Sequence, residues 1–470
     1  MATDRTNSLL AGELLIELRR DAGVPLHRQI ESSIRDGIRS GRLRLGTSLP
    51  PTRTVAADLN VSRGVVVEAY QQLVAEGYLT SRTGGYTQVA AGPETAPAPA
   101  APKPAAALKI DFGYGRADVS HFPRTAWLRS IRTVLTEAPN ERFGYLSGHG
   151  VPELREALAD YLNRVRGTAA DPGNVVICNG YAQGISLVLQ VLAKSGARRI
   201  VVEDPSSDDD CRPLAAAAGI DVVGVAVDRD GIRVDELDRV EADAVILTPS
   251  HQWPTGAVLS AEARAGVLRW ARRCGALVIE DDYDAEHRYD RAPIGAIQGL
   301  APDQVVYAGT ASKTLAPGLR LGWLLVPGHL VEDVVAAKVT ADRGSPVIDQ
   351  LAFADFLARG EFDRHLRRMR PAYRRRRDAL LGALEKYTPE VEPAGIAAGL
   401  HLVAWLPPEL DEAALVEAAA RRGVGVYGVS PYRLGSTGPG GLIFGYATLS
   451  ERAITEGIVV LAEAIGDLRR

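Results

Sequence analysis

Between residues 25 and 40 the apolar side chains Leu26, Ile30, Ile34 and Ile38 recur at every fourth position, which puts one stripe on the inner face of an amphipathic helix. Gly41 and Gly46 end that pattern. Pro50-Pro51-Thr52 opens a short helix with Val55, Ala56 and Leu59 inward, and Asn60-Val61 turns the chain into Ser62, a good N-cap residue. The next helix turns Val66, Tyr70 and Leu73 inward and stops at Glu76-Gly77. Residues 78–82 and 86–90 then flank Thr83-Gly84-Gly85, a hairpin signal. Helix, helix-turn-helix and hairpin in that order predict a winged helix-turn-helix, mostly α, over residues 10–90.

Residues 91–108, AGPETAPAPAAPKPAAAL, carry almost no large apolar side chain, so they pack no core and read as an extended linker. After Ile110 the period changes again. Val- and Ile-rich runs at 199–202, 244–248, 276–280, 305–308 and 319–326 alternate with Ala/Leu/Arg helical segments, the pattern of an α/β domain with a mostly parallel sheet over residues 109–470. Several runs end in unusual polar motifs. Open α/β sheets place ligands at those carboxyl ends, so the distribution predicts one site built from many loops.

A length of 470 residues suits about three domains, and 46% hydrophobic with 24% charged residues is ordinary for a globular protein. No apolar run approaches the roughly 18 residues of a membrane span, and residues 9–16 are too short and acidic for a signal peptide, so a cytoplasmic protein with no membrane partner is expected. Cys178, Cys211 and Cys274 are far apart and lack metal-ligand spacing, which argues against a disulfide framework or a zinc site. The net charge of −4 is uneven: residues 1–90 hold eleven arginines, no lysine and nine carboxylates. Arginine suits bidentate contacts to phosphate or guanine.

The N-terminal layout puts Ser62, Arg63 and Gly64 at the start of the second helix of the pair, where a recognition helix meets base edges, with Arg53 opening the preceding helix beside the backbone. Arg82, Thr83 and Gly84 at the wing tip would reach an adjacent groove or phosphate. The stretch from Pro25 to Gly85 closely resembles the GntR-type DNA-binding domain, which implies double-stranded DNA as partner.

In the second domain the run VVYAGTASKTLAPGLRLGW, residues 305–323, leads an apolar strand into a loop carrying Lys313 and then Arg320. A lysine among small residues past a buried strand is placed for desolvation, which frees the neutral amine for a Schiff base. The segment looks like the pyridoxal-phosphate lysine segment of fold-type I, aspartate-aminotransferase-like proteins. Such a cofactor needs a carboxylate facing its ring nitrogen, and Asp281 in EDDYD is the candidate, with Tyr283 two residues on to donate to the ring hydroxyl. A metal is the alternative for this acidic run, but no histidine pair at ligand spacing supports it. Its phosphate needs helix-start amides and positive charge: Tyr181 and Ala182 follow Gly180 at a strand-to-helix turn, and Thr310, Ser312 and Arg320 complete the cup.

These motifs in this order, with DVSHFPRTAW, PELREALADYL, TPSHQWPTG, EDDYDAEHRY and HLRRMRPAYRRRRDALLGAL, make the chain similar to the MocR subfamily of GntR transcription regulators from about residue 25 onward. The resemblance implies pyridoxal 5'-phosphate as cofactor, a homodimer, and an aminotransferase-like domain that senses a ligand. The basic run Arg367, Arg368, Arg370 and Arg374 to Arg377 reads as a solvated helix face or an auxiliary phosphate-contacting surface. Three positions depart from working aminotransferases: no aromatic follows Asp204-Pro205, Trp253 stands where an asparagine is usual, and Ile443 aligns with the arginine that grips a substrate carboxylate. Arg433 and Arg212 are the candidates to replace that grip. The leading expectation is therefore a regulator rather than an enzyme, with the cofactor itself or a small amino-acid-like compound as effector; a working aminotransferase with an appended DNA-binding module is the competing class.

Overall fold

The computed structural model describes residues 14, 16–21, 23–81, 86–90, 108–145, 147–206, 211–289 and 294–469. The expected wing-tip contacts Arg82, Thr83 and Gly84 lie outside the described residues, as does nearly all of the 91–108 segment. The chain divides into two compact units, residues 1–104 and 105–470.

In the first unit, helices Leu26–Arg39, Thr52–Asp58 and Arg63–Ala75 precede the antiparallel strands Leu79–Ser81 and Thr87–Val89. The four-residue apolar spacing buries Ile30, Ile34 and Ile38 against Val66, Tyr70 and Leu73, as the pattern requires. Asn60 turns the helix pair with φ 51°, and Arg20 donates to its carbonyl at 2.7 Å. Other arginines are also consumed internally: Arg35 pairs with Glu76, Arg39 donates to Tyr78 and Arg42 to the Leu14 carbonyl. Much of the arginine bias thus braces the unit itself. Ser62 occupies the N-cap position, but its side chain makes no capping bond; the turn closes instead through Val65 N–H to the Ser62 carbonyl.

The second unit is built on an eight-stranded sheet in the order Val175–Cys178, Gly322–Leu325, Val305–Thr310, Leu277–Asp282, Ala244–Leu247, Arg199–Asp204, Asp221–Asp228, Gly231–Ile232. Its central strands are parallel and, apart from exposed Arg199 and half-buried Asp281, buried, which is why they read as continuous apolar runs. The expected strand 319–326 begins only at Gly322, because residues 317–319 form a 3-10 turn and Arg320 adopts φ 52°. A small antiparallel sheet of Glu392–Ala394, His401–Trp405, Gly441–Gly445 and Tyr427–Gly428 lies beside the long helix Glu361–Tyr387 and the final helix Glu451–Leu468.

The basic run on that long helix divides: Arg367, Arg368, Arg374 and Arg375 are exposed, whereas Arg370, Arg376 and Arg377 are partly buried. Arg370 donates to the Glu286 carbonyl at 2.7 Å, Arg376 to Asp118 and to the Ala447 carbonyl, and Arg375 pairs with Glu451. Among the described residues no helix is long and apolar enough to cross a membrane.

Candidate functional site

Carboxyl ends of four strands of the large sheet and the start of strand His401–Trp405 close around a cavity of about 360 Å³, within the roughly 300–1,000 Å³ usual for small-molecule sites. Lys313, Asp281, Tyr283, Arg320, Ser312, Thr310, Tyr181 and Ala182 all line it.

One corner is shaped for an anion. Strand Val175–Cys178 leads through Gly180, at φ +84°, into helix Tyr181–Lys194, which starts without a side-chain cap and turns its first-turn amides and positive end to this corner. Opposite, Arg320 Nη2 donates to the Asn179 carbonyl at 2.6 Å. A Cβ on Gly180 would come within 2.9 Å of that nitrogen, and one on Gly322 within 2.8 Å of Gly180 Cα. The close approach of backbone and guanidinium therefore requires both glycines. Ser312 N–H donates to Thr310 Oγ1, whose own hydroxyl donates to Ser312 Oγ at 2.9 Å, so two hydroxyls edge the same corner.

Lys313 Nζ donates to the Gly115 carbonyl at 2.7 Å. Its loop is held from both sides by buried histidines that sequence reading assigned no role: His287 Nε2 meets the Lys313 carbonyl at 3.1 Å and His365 Nε2 the Thr314 carbonyl at 2.9 Å. Carbonyls only accept, so both rings carry their hydrogen on Nε2. Burial pushes the His287 pKa down to about 4 and keeps that ring neutral.

The EDDYD run distributes its side chains by the alternation of an extended chain. Glu280 accepts from the Ile297 and Gln298 amides at 3.0 Å each. Asp281 lines the cavity, whereas Asp282 turns the other way to Arg166 Nε and Tyr307 Oη, both at 2.7 Å. Tyr283 returns to the cavity, where its hydroxyl donates to the His251 carbonyl at 2.9 Å; burial raises its pKa well above the usual phenol value, so it remains a donor. Asp284 accepts from His251 Nδ1 at 2.9 Å, and His401 completes a buried trio whose ligand-type atoms lie within 4.8 Å of one another. The histidine pair thus comes from residues 251 and 401, a separation that no spacing rule along the chain would reveal.

The opposite end of the cavity is aromatic. Trp253 stands 4.6 Å from Tyr432 and 5.4 Å from Tyr114, ring centre to ring centre. Ile443 is fully buried behind it with Val403 and Val429. Arg433 does not line the cavity; its guanidinium donates to Ser436 Oγ and the Pro439 carbonyl. Nor does Arg212, in helix Cys211–Ala217, while Cys211 does. Arg320 is the one arginine lining the cavity among the described residues.

In the first unit, Ser62, Arg63, Gly64 and Arg53 are exposed at the helix-turn-helix. Arg63 Nε lies 3.4 Å from Thr52 Oγ1, so the starts of both helices meet there. A Cβ on Gly64 would meet nothing nearer than Ser62 Oγ at 3.8 Å, which leaves the helix start open to a partner surface.

Residues 26–89 match the family described as bacterial regulatory proteins, gntR family, and residues 108–461 match aminotransferase class I and II. The chain is 33% identical to the probable rhizopine catabolism regulatory protein MocR of Rhizobium meliloti, over 96% of each chain. It is 29% identical to the HTH-type pyridoxine biosynthesis transcriptional regulator PdxR of Corynebacterium glutamicum, over 97% of this chain and 99% of that one. Among solved structures, an archaeal alanine:glyoxylate aminotransferase superposes with a TM-score of 0.70 and 29% identity, covering 77% of this chain and 91% of its own.

Proposed function

We infer the working of this protein from its membership: the chain belongs to the MocR subfamily of GntR-type regulators and is a DNA-binding transcriptional regulator with an aminotransferase-like domain. In our reading residues 10–90 hold double-stranded DNA, residues 91–108 link, and residues 109–470 form a sensor that binds pyridoxal 5'-phosphate. The observation that carries it is the cavity itself, where Lys313, Asp281, Tyr283 and Arg320 converge with the start of helix Tyr181–Lys194 while, among the described residues, no arginine but Arg320 lines it.

When bound, the cofactor supplies an aldehyde that joins an amine and a ring that withdraws electrons. Each polar group it carries has a counterpart here. Arg320, the Tyr181 and Ala182 amides, Thr310 and Ser312 would grip the phosphate; Asp281 would hold a proton on the ring nitrogen; Tyr283 would donate to the ring oxygen; Lys313 would anchor the aldehyde. His287 and His365 fix the lysine loop, so the amine is presented from a rigid backbone. A ligand can alter DNA binding only if it favours one arrangement of the protein over another. The cofactor itself is one such signal, since a small ligand's carboxylate would find no charged partner at Ile443.

A homodimer is part of the proposal. Leu128, Leu135, Phe143 and Tyr145 are exposed, Tyr145 at 96%, along one stretch of the second unit, an apolar face that a second copy would cover. The test of the whole reading is twofold. Purified protein should take up pyridoxal phosphate with a visible absorption band that Lys313→Ala abolishes, and turnover of ordinary amino acids with a keto acid acceptor should be negligible. Steady transamination at enzyme-like rates would favour a working aminotransferase instead.

A further inference from the structure

Behind the corner formed by Arg320 and Gly180, an ion pair outside the cavity holds the turn from which helix Tyr181–Lys194 starts. Lys338, on helix Val331–Asp342, is fully buried, and its Nζ donates to both carboxylate oxygens of Asp342, at 2.8 and 2.6 Å, and to Ser345 Oγ at 3.0 Å. The same carboxylate reaches the turn. Asp342 Oδ2 accepts from Asn179 Nδ2 at 2.9 Å and from Gln183 Nε2 at 2.7 Å. Gln183 Oε1 accepts in turn from Asn179 N–H at 2.7 Å, and the Asn179 carbonyl accepts from Arg320. Asn179 is thus tied to Asp342 by its side chain and to Arg320 by its backbone. Neither Lys338 nor Asp342 lines the cavity.

Apolar packing already joins the two helices, since Ile185 and Leu189 share one cluster with Val331 and Val334. A buried ion pair adds little stability to such a contact, because desolvating both charges offsets most of their attraction. What this pair adds is direction. Burial works to raise the Asp342 carboxyl, but the bonds from Lys338 and Gln183 lower it, so it stays ionised and accepts from two side-chain amides at once. Those amides fix the peptide between Asn179 and Gly180, and with it the aim of the first helical amides and of the Arg320 guanidinium. A bare carboxylate behind an anion's seat would oppose the anion. The Lys338 ammonium, in contact with that carboxylate, cancels its charge.

We propose that Asp342, neutralised by Lys338, is a positioning residue for the phosphate of pyridoxal phosphate: it sets the Asn179–Gly180 turn and, through the Asn179 carbonyl, Arg320, without touching the ligand. The proposal rests on the reading of this cavity as the cofactor site, and it gives the phosphate grip a support outside the cavity wall.

The test compares pyridoxal phosphate with pyridoxal, which lacks the phosphate, each titrated into full-length protein and followed by its visible band. The parent should bind the phosphate ester far more tightly. In Asp342→Asn either orientation of the new amide turns its NH2 toward Lys338 and toward Gly344 N–H or the Asn179 and Gln183 amides. Pyridoxal phosphate should then weaken on the order of tenfold while pyridoxal changes by less than about twofold. Asn179→Ala cuts the same tie at the turn and leaves the ion pair intact, so it should lower the ratio of the two affinities in the same direction, with a melting temperature near the parent's. Asp333→Asn, which breaks an exposed ion pair to Lys194 from the same helix, should change neither affinity. Unchanged phosphate-ester affinity in Asp342→Asn and Asn179→Ala, or equal losses for both ligands, would overturn the proposal; Asn179→Ala decides it alone should Asp342→Asn fail to fold. A parent that binds neither ligand, or binds both alike, would instead reject the cofactor reading, a result visible before any variant is made.

Discussion

Around Gly180 and Arg320 the cavity is made of backbone amides, hydroxyls and a guanidinium held within 2.6 Å of the Asn179 carbonyl; around Trp253 and His401 it is made of aromatic faces and buried aliphatic side chains. We read the first end as fitted to the dianionic phosphate of a cofactor. Among the described residues the second offers no arginine to an amino-acid carboxylate. On that reading, holding a cofactor and gripping a substrate are separable demands on one fold, and among the described residues only the first is met by an arginine. The same contrast explains how an aminotransferase fold can serve a regulator, since function resides in the site rather than in the fold.

The sharpest way to break the comparison is at the lysine. Lys313→Ala should abolish the visible band and any borohydride-trapped adduct while the melting temperature stays near that of the parent; a persisting adduct would reassign the anchor. Next in size, Arg320→Ala should weaken cofactor binding by roughly 10- to 100-fold, the worth of a charge-assisted hydrogen-bonding group. Trp253→Ala, at the other end, should leave cofactor affinity nearly unchanged in the same equilibrium dialysis. Equal losses would erase the distinction between the two ends.

In the DNA-binding unit, Arg63→Ala should cost roughly 1–3 kcal/mol on a selected duplex if it reads a base edge, and Arg53→Ala should weaken all duplexes alike. Equal losses on selected and random duplexes for both variants would dismiss that division of labour. The smallest effect concerns pH. His287 is held near 4 by burial, against about 6.5 for an exposed histidine, so the unfolded chain binds more protons as pH falls below 6.5. Its contribution is therefore complete above that value and is lost progressively toward pH 4. Between pH 7 and pH 5.5 the loss amounts to about 1 kcal/mol, and His287→Phe should remove that part of the slope in denaturant-unfolding free energies. A variant with the parental slope would refute the assignment.

Most of the architecture was legible because it is periodic. The fourfold spacing of Ile30, Ile34 and Ile38 and the buried runs of the central strands are direct imprints of helix and sheet geometry. Lys313, Asp281 and Arg320 were legible through local motifs, and all of them line the cavity. What stayed hidden depends on tertiary approach. Asp281 was singled out in EDDYD, but nothing local showed that Asp282 pairs with Arg166 and Asp284 with His251, residues more than thirty positions away in the chain. Arg370 and Arg376 looked like a solvated face until the fold brought carbonyls to them. Ser62 had the right chemistry for a cap, but the backbone closed the turn without it.

The central claim is that occupancy of the second unit changes what the first unit does on DNA. Its most direct test is the affinity of the full-length protein for a duplex selected from a random pool, measured by fluorescence anisotropy at fixed salt for the cofactor-free protein, the cofactor-loaded protein and Lys313→Ala. The account predicts that loading with pyridoxal phosphate shifts the affinity of the parent, and that Lys313→Ala given the same cofactor keeps the cofactor-free value. Identical affinities for the loaded and cofactor-free parent, with loading verified by the visible band, would contradict it.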